Sequence, residues 1–257
     1  MTLSRGFTLL EMVIALVVLG VISLAVGSYF QLGVQGYTAT VNRDRAQTEL
    51  RFAVEKITRE VRHAAPNSVF LDSNAAGEAN SCLSFYPVLE SGFYLNQPKG
   101  NNVDYIVSGS AQESKALVTE INKQQNNYFL AIGFGSHAQY LNTNKVTKAT
   151  EDPAGHVVLS VQNELTLSSP ANRAYLYGDL VSYCYLQNKI YRLSDGDKKI
   201  LSKYESTNLI AGGVSNMDIF AQAPGLSRNG MVHISLSADV DGETTSYDHT
   251  VQVLNVL

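Results

Sequence analysis

The stretch Arg5-Gly6-Phe7-Thr8-Leu9-Leu10-Glu11-Met12, followed by an apolar run to Phe30, decides the reading of this 257-residue chain. From Met12 to Phe30, 19 residues, no side chain is charged and there is no proline. A helix needs ~20 such residues to cross a ~30 Å hydrocarbon core. One carboxylate, Glu11, stands just inside the run. An ionised acid there costs roughly 2.5–3.5 kcal/mol and calls for a partner. A cleaved secretory signal has an apolar core of about 7–15 residues with no acid in it, so this run is too long and Glu11 is misplaced for one. A plain membrane anchor is the alternative that length and composition leave open.

Gly6-Phe7-Thr8-Leu9-Leu10-Glu11 resembles the processing site of type IV pilins and type II secretion pseudopilins. The resemblance implies that residues 1–6 are a basic leader, cut between Gly6 and Phe7 by a prepilin peptidase that also N-methylates the new terminal Phe7. It implies an assembly role for Glu11, whose carboxylate would meet the α-amino group of Phe7 on a neighbouring subunit. Such a pair inside an apolar bundle is strongly favoured over either charge alone, and it would help set axial register.

The formal charge is −4, and removal of Arg5 with the leader leaves 18 Lys and Arg against 23 Asp and Glu. A mildly acidic chain without a basic cluster carries no electrostatic footprint for nucleic acid. Tyr is abundant at 14 and Trp absent, which suits a β-rich extracytoplasmic domain. The positive-inside tendency keeps the Arg5 side in the cytoplasm and puts the rest outside the inner membrane. In that oxidising compartment the two cysteines, Cys82 and Cys184, are expected to form a disulfide, with two buried free thiols as the alternative. Closing about a hundred residues stabilises a fold by roughly 4–5 kcal/mol in the entropic account.

Residues 7–30 are read as the membrane-spanning half of one long helix, and 31–66 as its amphipathic half. Ala46, Leu50, Ala53, Val54, Ile57, Val61 and Ala64 recur at spacings of three and four, one stripe of a helix facing a core. The intervening charges are mixed in sign and read as a solvated face. Gly20, Gly27 and Gly33 weaken the helix but permit close approach of others. Pro66-Asn67-Ser68 is the stop.

From 67 to 257 the period is two, predicting one β-rich head. Val69–Leu71, Cys82–Tyr86, Val103–Val107, Tyr128–Ile132 and His156–Val161 read as strands. Residues 90–101 read as turn-rich, and about 108–155 as an unpatterned surface insertion. Val181–Leu186 and Lys189–Leu193 read as a hairpin across Gln187-Asn188, and Ile219–Ala221 as a short strand. A second hairpin turns at Asp241-Gly242, with Tyr247, His249, Val251 and Val253 on one face of its return strand. The fold class is therefore α+β, and the resemblance implies the type IV pilin form of it, a long N-terminal helix on an antiparallel sheet.

No catalytic pattern appears. The five histidines lack paired metal-ligand spacing, although His233 and His249 are expected close together on paired strands. Nucleophile elbow, phosphate loop and dinucleotide fingerprint are missing from the sequence. Neither an enzyme nor a cofactor is expected. Asp195, Asp197, Asp239 and Asp241 are oxygen-rich enough to be weak calcium candidates, though Asp-Gly pairs also suit tight turns.

Further matches at Gln35-Gly36-Tyr37, Arg43-Asp44-Arg45, Arg51–Glu55, Arg59–Arg62, Pro66-Asn67-Ser68, Val181–Tyr185, Arg228-Asn229-Gly230 and His249–Val256 resemble the MshO-type minor pilins of mannose-sensitive haemagglutinin (MSHA) pilus biogenesis. That implies a prepilin needed for pilus assembly, priming growth or sitting at the tip and contributing to adhesion. Its partners would be other minor pilins, the major pilin, the prepilin peptidase and an inner-membrane assembly platform. It would be a single-pass inner-membrane protein with a periplasmic head, later part of the surface pilus. A type II secretion pseudopilin and a tip adhesin using 108–155 as its gripping surface remain alternatives.

Overall fold

The computed structural model describes residues 8–98, 100–107, 110–123, 127–141, 144–153, 155–194, 197–222 and 230–253. The leader with Gly6 and Phe7, the calcium candidate Asp195, Arg228-Asn229 and residues 254–257 lie outside the described residues.

A single helix, α1 (Leu9–Arg62), runs for 54 residues, about 80 Å at 1.5 Å per residue. It has no internal proline, and it stays helical through Gly20, Gly27, Gly33 and Gly36. It ends at Arg62, ahead of Pro66, where the His63 N–H bonds back to the Glu60 and Val61 carbonyls. The departing chain is captured at once by the sheet region. The Ala65 N–H donates to the Tyr86 carbonyl and the Val88 N–H to the His63 carbonyl.

The head contains β1 (Phe70–Asp72), β2 (Cys82–Phe85), β3 (Val88–Tyr94), β4 (Asn102–Val107), α2 (Ala111–Lys123), β5 (Phe129–Ala131), β6 (Val146–Glu151) and β7 (Val157–Val161). Then follow β8 (Arg173–Tyr177), β9 (Val181–Leu186), β10 (Lys189–Ser194), β11 (Leu209–Gly212), β12 (Asn216–Gln222), β13 (Met231–Val240) and β14 (Glu243–Gln252). They form three sheets, ordered β1-β2-β9-β10-β11, β12-β13-β14 and β5-β8-β3-β4-β7-β6, with antiparallel neighbours. A long apolar N-terminal helix on antiparallel sheets is a type IV pilin-like α+β architecture.

Two apolar cores organise it. In the first, the stripe Leu50, Ala53, Val54, Ile57 and Val61 packs against Leu83, Phe85, Tyr183 and Ile190 of one sheet and Val232, Ile234, Leu236 and Val251 of another. The second lies under α2, where Leu117 and Ile121 meet Tyr105, Leu159, Leu176 and neighbours on the six-stranded sheet. An aromatic group of Tyr86, Phe134, Tyr140 and Tyr177 fills the space beside them.

Three sequence readings are corrected here. Residues 90–94 are strand, not turn, and Ser91-Gly92 sits mid-strand because nothing larger fits. A Cβ on Gly92 would lie 2.2 Å from the Ile106 carbonyl oxygen and 2.6 Å from Tyr105 Cζ. The stretch 108–155 is no unpatterned surface insertion, since it supplies α2, β5 and β6 and half of a core. His233 and His249 are not side by side: His233 faces Thr250, Ile234 faces His249, and successive residues of a strand point to opposite faces. The strand β8 had no counterpart in the sequence reading, being buried on both faces and so without alternation.

Candidate functional site: the bare helix and the head that carries it

The first turn of α1 is built by Thr8. Its backbone is extended (φ −83°, ψ 152°), and its Oγ1 accepts from the Glu11 N–H at 3.3 Å. That is N-capping, which satisfies one of the helix's orphan donors. Glu11 thus occupies the third helical position, where the helix macrodipole favours a negative charge. The sequence reading missed Thr8. The Thr-x-x-Glu spacing was the signal that finds it.

Beyond that turn, every large apolar side chain from Leu9 to Val41 is exposed, Leu9 by 83% and Phe30 by 67%. Added Cβ atoms at Gly20, Gly27, Gly33 and Gly36 would meet nothing within 4 Å. These glycines are therefore not used for packing within the chain and lie open to a neighbour. Two hydroxyls in the run are satisfied internally, Ser23 Oγ donating to the Leu19 carbonyl at 2.7 Å and Ser28 Oγ to the Ala25 carbonyl at 2.9 Å. Internal satisfaction of polar groups is what a lipid-facing helix requires. Among the described residues α1 is the one helix long and apolar enough to cross a membrane. So much apolar surface must be covered by lipid or by other subunits.

Among the described residues, side-chain bonds from the head to the helix begin at Arg43. Arg43 forms an ion pair with Glu243 at the tip of the β13–β14 hairpin, and Gln47 Nε2 donates to Thr245 Oγ1 at 3.1 Å. Nearer the helix end, Arg192 Nε bonds both carboxylate oxygens of Glu60, at 3.2 and 3.0 Å. Burial disfavours the charged Arg192, but the Glu60 carboxylate beside it more than compensates and holds its pKa above the usual value.

The disulfide Cys82–Cys184 joins residues directly opposite each other on β2 and β9. Between those strands the chain makes its excursion through the whole six-stranded sheet. The excursion is closed again at its base, where the Gly178 N–H donates to the Pro87 carbonyl at 3.0 Å. A second fastening is ionic. Lys198, 5% exposed, reaches Asp72 at 2.6 Å and lies 5.0 Å over the Phe70 ring. Partial burial raises the Asp72 pKa, and the hydrogen bond and charge of Lys198 overcome this to leave it below the ordinary value.

The calcium candidates among the described residues serve other partners or a turn. Asp197 faces Lys203 at 3.9 Å, Asp239 accepts from Thr244 at 2.6 Å, and Asp241 supplies a positive-φ turn position. Among the described residues no group of three potential metal ligands occurs.

Residues 1–27 match the family model for the prokaryotic N-terminal methylation motif. This chain carries a prepilin-type N-terminal motif. Such a motif supports a type IV pilin or pseudopilin, implies processing by a prepilin peptidase and assembly with other pilins, and fits single-pass anchoring through α1. It suggests a structural protein rather than an enzyme. Comparison with curated proteins and with solved structures returned no match.

Proposed function

We propose that this chain is a minor pilin that primes assembly of an MSHA-type pilus and occupies or adjoins its tip. Cleavage between Gly6 and Phe7 frees the α-amino group of Phe7, which is then N-methylated, and α1 leaves the bilayer for the filament core. There the Glu11 carboxylate pairs with the α-amino group of the neighbour's Phe7. The observation that carries the placement is the six-stranded sheet inserted between β2 and β9. Every bulk subunit must fit a repeating array on all sides, whereas a subunit at the end has one side free for such an enlargement. Adhesion follows if that free side meets surfaces first.

The test is an in-frame deletion, followed by shearing the cells and blotting for the major pilin in both fractions. The proposal expects pilin retained in cells and surface pili lost. Abundant surface pili in the deletion strain contradict priming. Normal pili with lost secretion of exoproteins would assign the chain to a secretion pseudopilus instead.

A further inference from the structure

The last strand of the head, β14, is the outer strand of its sheet and has no neighbour on its far side among the described residues. We propose that a strand from a different pilin-type subunit pairs with this edge, main chain to main chain. The proposal rests on the assembly reading and names the surface through which a neighbour's head joins this one.

The register shows which groups are open. Asp241-Gly242 closes a two-residue hairpin, with Val240 opposite Glu243. In such a hairpin the closing pair is hydrogen-bonded and the pairs alternate from there. Two observed bonds agree. The Ser215 N–H donates to the Ser237 carbonyl, on the β12 side of β13, and the Val253 N–H to the Gly230 carbonyl. The backbone N–H and C=O groups of Thr244, Ser246, Asp248, Thr250 and Gln252 therefore point away from β13, in an open row. The strand has ten residues, about 33 Å of edge.

Natural edges are blunted by Lys, Pro, a bulge, shortness or a covering element, and the rest of this head follows that rule. On β6 the Asn122 side chain takes both backbone groups of Ala149, donating to its carbonyl at 2.7 Å and accepting from its N–H at 3.1 Å. β5 is tied to the approach to β6, the Leu130 N–H donating to the Asn144 carbonyl and the Val146 N–H to the Tyr128 carbonyl. β1 has three residues, and β11 has four on an irregular register. β12 turns only Met217, Ile219 and Ala221 outward. β14 has no Lys, Arg or Pro and no break in its register.

Direction and charge select the occupant. Arg43 meets Glu243 and Gln47 meets Thr245. Four helix residues, ~6 Å, thus keep step with two strand residues, ~6.7 Å. β14 climbs alongside α1, just above the half whose apolar side chains are bare. A subunit packing its helix beside that half, on the β14 side, brings its head against this edge along the strand's length. Asp248 is the charge in the open row, and a strand laid opposite needs a Lys or Arg there. A second copy has none to offer, because its own long edges, β12 and β14, contain neither. The partner is therefore a different chain with the same kind of N-terminal helix.

The experiment places the photo-cross-linking residue p-benzoylphenylalanine at Thr250 of the full-length chain, in cells lacking the parent copy. Joined peptides are identified by mass spectrometry. Lys148 on β6 and Leu24 in the bare helix are the comparison positions. Thr250 should reach the head of a different chain that carries a prepilin-type N-terminus, and Lys148 should not. Ser246→Pro deletes one outward N–H that β13 does not use, and Asp248→Lys reverses the charge without touching the main chain. Each should lower the Thr250 cross-link at least about fivefold, as loss of one such bond gives, at an unchanged melting temperature. Should Ser246→Pro melt lower, Asp248→Lys alone decides. The inference is overturned by no cross-link from Thr250, by one to a second copy or to a chain without that motif, or by full yield in the deciding variants. In that event, Leu24 cross-links to other prepilin-type chains show that the assembly reading survives, and their loss shows that it has failed as well.

Discussion

At the scale of single residues, the proposed function gives Glu11 a role toward a neighbour that is separable from its place in its own helix. As the third helical residue it sits where an amide also suits the Thr8 cap, the carboxylate adding only about 0.3–1 kcal/mol through the helix dipole. Glu11→Gln therefore leaves the helix start intact and removes only the charge. We expect this variant to be made and processed normally but depleted in the sheared pilus fraction, measured by blotting that fraction. Equal incorporation would refute the pairing with the neighbouring α-amino group. Thr8→Ala should act differently, costing about 1 kcal/mol of helix stability at that end without touching the charge.

The Lys198–Asp72 pair makes a prediction in pH. The folded Asp72 pKa lies below the ordinary value for an aspartate, so the pair adds stability above that ordinary value and loses it as pH falls through the folded pKa. Thermal melting of the protein should drop below about pH 4. In Asp72→Asn that part of the decline should vanish, and stability at neutral pH should fall by roughly 2–3 kcal/mol. This is less than the ~3–5 kcal/mol for a fully buried pair, because Asp72 is partly in water while Lys198 is not. Melting curves from pH 3 to 7 check both. Gly92→Ala tests a steric claim instead: the methyl would strike the Ile106 carbonyl and Tyr105, and roughly 3 kcal/mol of destabilisation is expected in denaturant titration.

At the scale of elements, the six-stranded sheet behaves as an inclusion whose ends meet. Pro87 and Gly178 are hydrogen-bonded, and the disulfide lies just outside them. Replacing residues 88–177 with a short Gly-Ser linker should therefore leave β2 paired with β9 and the disulfide formed. A cooperative melt and protection of both cysteines from alkylation would show it. An unfolded product would mean that the aromatic group around Tyr86 and Tyr140 is needed by both cores. Removing the disulfide alone, with Cys82→Ser and Cys184→Ser, should cost about 2–5 kcal/mol.

These elements also show what the sequence made legible. The helix stripe from Leu50 to Val61 and the alternation from Val232 to Ala238 each face a single core, so their period survives in the letters. Both hairpin turns were readable too, because Gln187-Asn188 and Asp241-Gly242 carry the positive φ their types suggest. β3 was hidden by Ser91-Gly92, a turn-like pair whose glycine is demanded by a tyrosine from the next strand. α2 was hidden by polarity, with only Leu117, Ile121 and Ser114 buried along it.

At the scale of the molecule, the account describes a helix with an uncovered apolar half and a head that grips only the other half. Such a chain is incomplete alone. On the proposed function it needs lipid first and neighbouring helices afterwards, with processing at the N-terminal motif as the chemical step between these two environments. The central claim is therefore tested most directly at the N-terminus of the mature protein. The protein should be isolated from sheared surface fibres and its N-terminal peptide read by tandem mass spectrometry. The account predicts a chain beginning at N-methylated Phe7. A chain that retains Met1 to Gly6, or one that begins inside the apolar run, would contradict it.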